Sequence, residues 1–284
     1  MSQELHTHDN EMPTVPRDGT AAARTYFRAA ASDLGLFHFL IDVVLSGDYN
    51  AFVAKLALEG SDEYKTTDPS QLAKTDPGPM TKFLRKNRQA LLEMFLARLV
   101  DNFQIYLVDL IRVVLHTKPA MLSTRQQTLT LEELLRYDRI EDLIHDIIEK
   151  RINALAYEGF GDLQAWCGER GIEIHVPKGH RDAVVELIAT RNVIAHNRGL
   201  VDDKYVRAIR MSRFNSGEVR RLDVDDLFGA LALLHRVVGE TDRLAVEKFQ
   251  LSTVPLNPEA GTATPISTSD KPGGKEGEAS GPPA

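Results

Sequence analysis

The segment LLEMFLARLVDNFQIYLVDLIRVVL, Leu91 to Leu115, constrains the fold more than any other. Leu92, Phe95, Leu96, Leu99, Phe103, Tyr106, Leu107, Leu110 and Val114 recur at spacings of three and four. On a helix of about 3.6 residues per turn that spacing gathers them on one side. Arg98, Asp101, Asn102, Asp109 and Arg112 fall on a separate stripe. The pattern predicts a long amphipathic helix in the core of an all-α protein, its polar stripe turned to solvent. Asp101 and Asp109, two turns apart on that stripe, are the residues able to support a site from it. The charges also make this segment a costly bilayer span, and no long uncharged apolar run is read elsewhere.

Helical signals flank it on both sides. Upstream, AAARTYFRAAASDLGLFHFLIDVVL reads as one helix or two joined near Gly35, and YNAFVAKLAL as another capped by Asp48. The polar stretch GSDEYKTTDPSQLAKTDPGP, with three prolines, reads as a loop or linker. Downstream, Thr130 with Glu133 and Asp138 with Glu141 have capping spacing, which starts a short helix and then a longer one ended by Gly159. DLQAWCGERG is a further short helix, and Trp166 a core residue. IEIHVP alternates over too few residues to found a sheet. A helix begins near His180 and stops at Gly199; Asp202 caps DKYVRAIRMS, Asn215 to Gly217 turns, and Asp223 opens a last helix. The expected organisation is a disordered arm (1–19), N-terminal helices (20–60), a linker (61–79), a helical domain (80–250) and a disordered tail (251–284), since both ends are polar with little to bury.

Charge narrows the function. The net charge of −7 argues against a general nucleic-acid binder. Yet from Lys178 to Arg221 there are ten Lys or Arg against five Asp or Glu, so a chain that is acidic overall concentrates positive charge in one region. The single cysteine, Cys167, excludes a disulfide framework within the chain, and the polar N-terminal stretch lacks the apolar run of a secretory signal, so a cytoplasmic protein is expected. No phosphate-binding glycine loop or nucleophile-elbow pattern is present. His6 and His8, or Cys167, His175 and His180, lack zinc-finger spacing, so no metal or other cofactor is expected.

Inside the basic region lies ATRNVIAHNRG, Ala189 to Gly199. At about 100° per residue Asn192 and His196 share one face, whereas Arg191 lies about 140° from His196 and reaches it only through its long side chain. Polar groups in so apolar a helix need partners, because an unpaired buried one costs a few kcal/mol. An Arg-Asn pair with histidine five positions after the arginine is expected by chance about 0.02 times in a chain of this composition. It occurs once, at Arg191.

RNVIAH, in a helix near the C-terminal side of an all-α domain and followed by a glycine turn, resembles the Arg-Asn-x-x-x-His signature of the HEPN superfamily. The preceding helices resemble its bacterial RiboL-PSP and abortive-infection groups, over roughly residues 80 to 250. The resemblance implies a helical bundle that forms a homodimer through its motif helices, with paired motifs making a metal-independent endoribonuclease site. It also implies a toxin-antitoxin or phage-defence setting with a regulatory partner such as an antitoxin. Arg191, Asn192 and His196 match the motif. The toxin variant with tyrosine two residues after the histidine is not met, because Arg198 stands there.

These residue types suit RNA transesterification. A histidine can take the proton of a ribose 2′-hydroxyl or deliver one to the leaving 5′-oxygen. A forked, permanently charged arginine can hold the phosphate and its developing charge. Asparagine can orient the histidine or bind the ribose, and a twofold dimer supplies the second histidine. Arg198, Lys204, Arg207, Arg210 and Arg213 are the candidate RNA-binding residues flanking the cleft. The other reading is a catalytically inactive RNA-binding or dimerisation module, its histidine a hydrogen-bonded core residue.

Overall fold

Thr20 opens the first long helix. Its hydroxyl accepts from the Ala23 amide at 3.2 Å, and α1 then runs unbroken from Ala21 to Leu58 in the computed structural model, which describes residues 14–122, 130–157, 159–209 and 212–256. Of the two readings of the first stretch, one helix or two joined near Gly35, the single helix is the one found, and the separate helix expected to start at Asp48 is corrected, because α1 runs on through it. A mid-helix glycine costs about 1 kcal/mol, and here the burial of Tyr26, Phe27, Ala30 and Phe37 in the common core offsets it.

Asp48 caps a different helix. The stretch expected as a linker folds into a 3-10 turn (Glu63–Thr66) and α2 (Pro69–Thr75), and is followed by α3 (Pro79–Lys86). The buried Asp48 carboxylate accepts from the backbone amides of Met80 (3.0 Å) and Thr81 (2.7 Å), serving the first turn of α3 from across the helix pair. Gly47 and Gly78 permit that approach: a Cβ on Gly47 would lie 2.5 Å from Met80 Sδ, and one on Gly78 2.3 Å from the Asp48 carboxylate.

The central helix forms as its periodicity predicts. α4 (Arg88–Thr117) buries all nine apolar residues of the repeat, together with Val100, Ile111 and Leu115. Its polar stripe keeps part of its surface in solvent, as expected, and also reaches neighbouring helices. Arg98 and Asn102 hold Asp33 of α1 at 2.9 and 3.1 Å, and Arg112 pairs with Asp109 and with Glu149, which lies further along the chain. A 3-10 turn (Pro119–Leu122) and α5 (Leu131–Leu134) follow, the latter started by the expected Thr130–Glu133 capping box.

Then come α6 (Ile140–Tyr157), α7 (Phe160–Glu169), α8 (Arg181–Asn197), α9 (Asp203–Ala208) and α10 (Val224–Phe249). The fold is all-α. α4 lies at the centre, with α1, α6, α8 and α10 packed against it, so the N-terminal helix shares the core of the later helices. Trp166 is buried under the Arg170 guanidinium, which lies 4.1 Å from its ring, and burial pushes the Cys167 thiol up to about 12.

The described chain ends are tied together. Asp18–Gly19 (β1) pairs antiparallel with Val254–Pro255 (β2), and Leu256 is buried. Disorder expected through residue 19 and from 251 onward therefore does not extend to 14–19 or 251–256; residues 1–13 and 257–284 lie outside the described ones. Asp242 of α10 fixes this corner by accepting from the Thr20 amide (2.8 Å) and hydroxyl (2.6 Å). Nearby, the Tyr26 hydroxyl and His235 Nδ1 lie 3.2 Å apart in the core.

α1 also revises the hydropathy reading. It contains an 18-residue window of mean hydropathy 1.5, and among the described residues it is the one helix long and apolar enough to cross a membrane by length and composition. Part of that apolar surface is core, and part, at Leu36, Phe39 and Val43, is exposed.

Candidate functional site

α8 is held by its apolar residues. Val184, Ile188, Ala189 and Val193 are buried, whereas Arg181, Asp182, Ala195 and His196 at its two ends are exposed. Arg181, Asn192 and His196 share a face at helical spacing, and His196 lies at the open end of it. Sealing of that imidazole inside the core, the other possibility raised by the sequence, does not occur in the folded chain.

The end of α8 is set by backbone geometry. Arg198 adopts a left-handed conformation (φ 53°), Gly199 follows at φ 75°, and the Gly199 amide donates to the Val193 carbonyl at 2.9 Å. The left-handed terminating position expected for the glycine is thus taken by Arg198, and Gly199 is the residue that follows it. Gly199 also leaves room: a Cβ there would lie 3.1 Å from Glu93 Oε1. The Arg220 amide donates to the Gly199 carbonyl (2.8 Å) and Leu200 bridges Val219, so the chain returning from the 215–217 turn pins this terminus.

Arg191 points into a polar contact with α4. Its Nε donates to Asp101 Oδ1 at 2.6 Å, and Nη1 donates to Asn192 Oδ1 at 3.2 Å. Both members of the ion pair are partly exposed, 27% for the arginine side chain and 40% for the aspartate. Within one chain, then, the Asn192 side-chain oxygen accepts from Arg191.

The flanking cations are distributed as follows. Arg198, Lys204, Arg207 and Arg213 are exposed, whereas Arg210 lies outside the described residues. α9 stops at Ala208, shorter than the helix expected over DKYVRAIRMS, so of these cations Lys204 and Arg207 are the two that lie on it. Asp202 caps α9 as expected by accepting from the Tyr205 amide at 2.7 Å. α9 packs on α8 through a small second core of Ala189, Val193, Val201, Tyr205 and Ile209, which directs its charged residues outward.

Sequence reasoning missed a buried cluster behind the motif. Arg220, 7% exposed, donates to both Asp226 oxygens (3.2 and 3.4 Å), lies 3.8 Å from Glu186 and covers the Phe214 ring. The Tyr205 hydroxyl donates to the same Glu186 at 3.3 Å, and burial raises its pKa. Asp101 was readable only as a member of a polar stripe. Its partner lies 90 positions away, where helix periodicity carries no information.

Chemically, one chain presents an exposed imidazole, an arginine steadied by a carboxylate, and a rim of exposed cations. Such a surface can bind a phosphodiester and, joined to a second imidazole, exchange protons with it. Comparison with protein-family models, with curated proteins and with solved structures gives no match to this chain.

Proposed function

We propose that the chain is a metal-independent endoribonuclease of HEPN type, in which the α8 helices of two copies meet to form the cleft. Arg191 binds and stabilises the reacting phosphate, Asn192 contacts the ribose or the partner histidine, and His196 serves as base in one subunit and acid in the other. Arg198, Lys204, Arg207, Arg210 and Arg213 hold the RNA backbone. The setting is a cytoplasmic toxin or phage-defence protein with an antitoxin or other regulator as restraint.

The observation that carries this reading is the exposure of His196 on the open face of a motif helix whose arginine is anchored by Asp101. Parent protein should cleave single-stranded RNA in EDTA, and His196→Ala and Arg191→Ala should not. Equal cleavage by all three proteins overturns the assignment.

A second reading rests on a specific contact. Arg191 already donates Nε to Asp101 and Nη1 to Asn192, so part of its fork is taken up within the chain, which suits an inactive RNA-binding or dimerisation module. In that case the parent binds RNA without cutting it, and Arg191→Ala leaves affinity nearly unchanged.

A further inference from the structure

Away from the motif, three donor side chains converge where α4 meets α6. His116 stands in the last turn of α4, and His145 and Glu149 lie one turn apart on a single face of α6. One donor atom from each lies within 4.8 Å of the other two. The two imidazoles are stacked, with ring centres 5.4 Å apart and planes 29° from parallel, and both histidines are exposed.

We propose that His116, His145 and Glu149 form a binding site for a borderline divalent transition-metal ion, for which zinc is the natural probe. Two imidazole nitrogens and one carboxylate oxygen match the donor preferences of zinc and its neighbours rather than those of magnesium or calcium, which take oxygen ligands. Four-coordinate zinc at about 2.0–2.1 Å from its ligands needs donor atoms about 3.4 Å apart. Closing the group to that size takes modest turns of exposed side chains, and the imidazole torsion is broad. Three protein ligands leave one position for water.

Two features of the surroundings bear on the ion. The C-terminal end of α4 carries the negative end of the helix dipole, which favours a cation beside His116. Against it stands Arg112, which donates to Glu149 through Nε at 2.8 Å and through Nη2 at 3.3 Å. Asp109 also pairs with Arg112, so the guanidinium charge is offset from two sides. One Glu149 oxygen keeps Arg112 while the other turns to the metal.

The position is remote from the motif. Fifteen residues of helix, about 22 Å, separate His116 from Asp101 along α4. The ion clips the last turn of α4 to α6 and takes no part in the chemistry proposed for His196.

The test is zinc binding by the full chain after chelation, followed by calorimetry, with Co²⁺ absorption to report the ligand set. One ion per chain and a raised Tm are expected. His116→Ala or His145→Ala should weaken binding by more than the roughly 10–100-fold that outer-shell changes cost, and Glu149→Gln should weaken it as well. Both histidines are exposed, so unchanged far-UV circular dichroism is expected for the variants. Arg191→Ala and His196→Ala should bind zinc as the parent does, which keeps this outcome separate from the nuclease reading. Zinc affinity unaltered by His116→Ala and His145→Ala, or abolished instead by replacing His6 and His8, overturns the proposal.

Discussion

The Arg191 guanidinium and the Asp101 carboxylate meet at 2.6 Å, joining the motif helix to the central helix. Because the pair is partly exposed, it adds no more than about 1 kcal/mol to stability. Its larger effect is to fix the direction of the arginine fork. Asp101→Asn should leave folding nearly intact and lower RNA cleavage by on the order of 100-fold, the scale at which small misplacements act. Full activity in Asp101→Asn would remove the positioning role.

Arg198 stands in a left-handed conformation that costs a non-glycine residue about 1–2 kcal/mol. Strain of this kind gathers at functional sites. Arg198→Gly should therefore stabilise the protein by about 1 kcal/mol in urea unfolding while weakening RNA binding. The slope of log K against log salt should become shallower by about 0.7 for each RNA phosphate that the variant no longer neutralises. A stabilised variant with parental RNA affinity and salt slope would place Arg198 outside the interface.

Acid sensitivity follows from His235. Packed against Tyr26 and Phe27, its imidazole is held by burial at about 4, below the ordinary 6.5. The unfolded chain takes up the proton near 6.5 and the folded chain only near 4, so stability falls as pH drops through that window, by about 3 kcal/mol. Asp242 acts in the opposite sense, since burial raises its pKa and its protonation favours the folded state. Urea unfolding at pH 7 and pH 4.5 should show the decline in the parent and little of it in His235→Leu. The variant should begin about 1–3 kcal/mol lower at pH 7, because the Tyr26 hydroxyl is left without its partner. An equal acid effect in both proteins would contradict this assignment.

Asp48 and Gly78 form a testable pair. Asp48→Ala should cost about 1–2 kcal/mol by removing the cap on α3. Gly78→Ala should also destabilise, since its methyl would meet the Asp48 carboxylate at 2.3 Å. In an Asp48→Ala background the Gly78 substitution should be milder, with a coupling of roughly 0.5–3 kcal/mol in a double-mutant cycle. Additive costs would show that the two residues act separately.

What the sequence disclosed was local. The apolar spacing of Leu92 to Val114 identified the central helix, and Thr130, Asp202, Asp223 and Gly199 marked helix ends because caps act within one turn. Asp48 was visible as a cap, but its helix lies across a turn of chain, so only the fold reveals that it serves α3. For the same reason the Arg191–Asp101 contact, the Arg220 cluster and the pairing of Asp18–Gly19 with Val254–Pro255 were hidden. Of the candidate site, the motif spacing correctly placed Asn192 and His196 on one face. It did not reveal that Asn192 turns to Arg191, because side-chain direction depends on neighbours from other helices.

End-group analysis of RNA cut in EDTA tests the central claim most directly. The parent protein should leave 2′,3′-cyclic phosphate and 5′-hydroxyl ends, and His196→Ala, with unchanged circular dichroism, should leave the RNA whole. Intact RNA with the parent protein, or identical cleavage by His196→Ala, would contradict it.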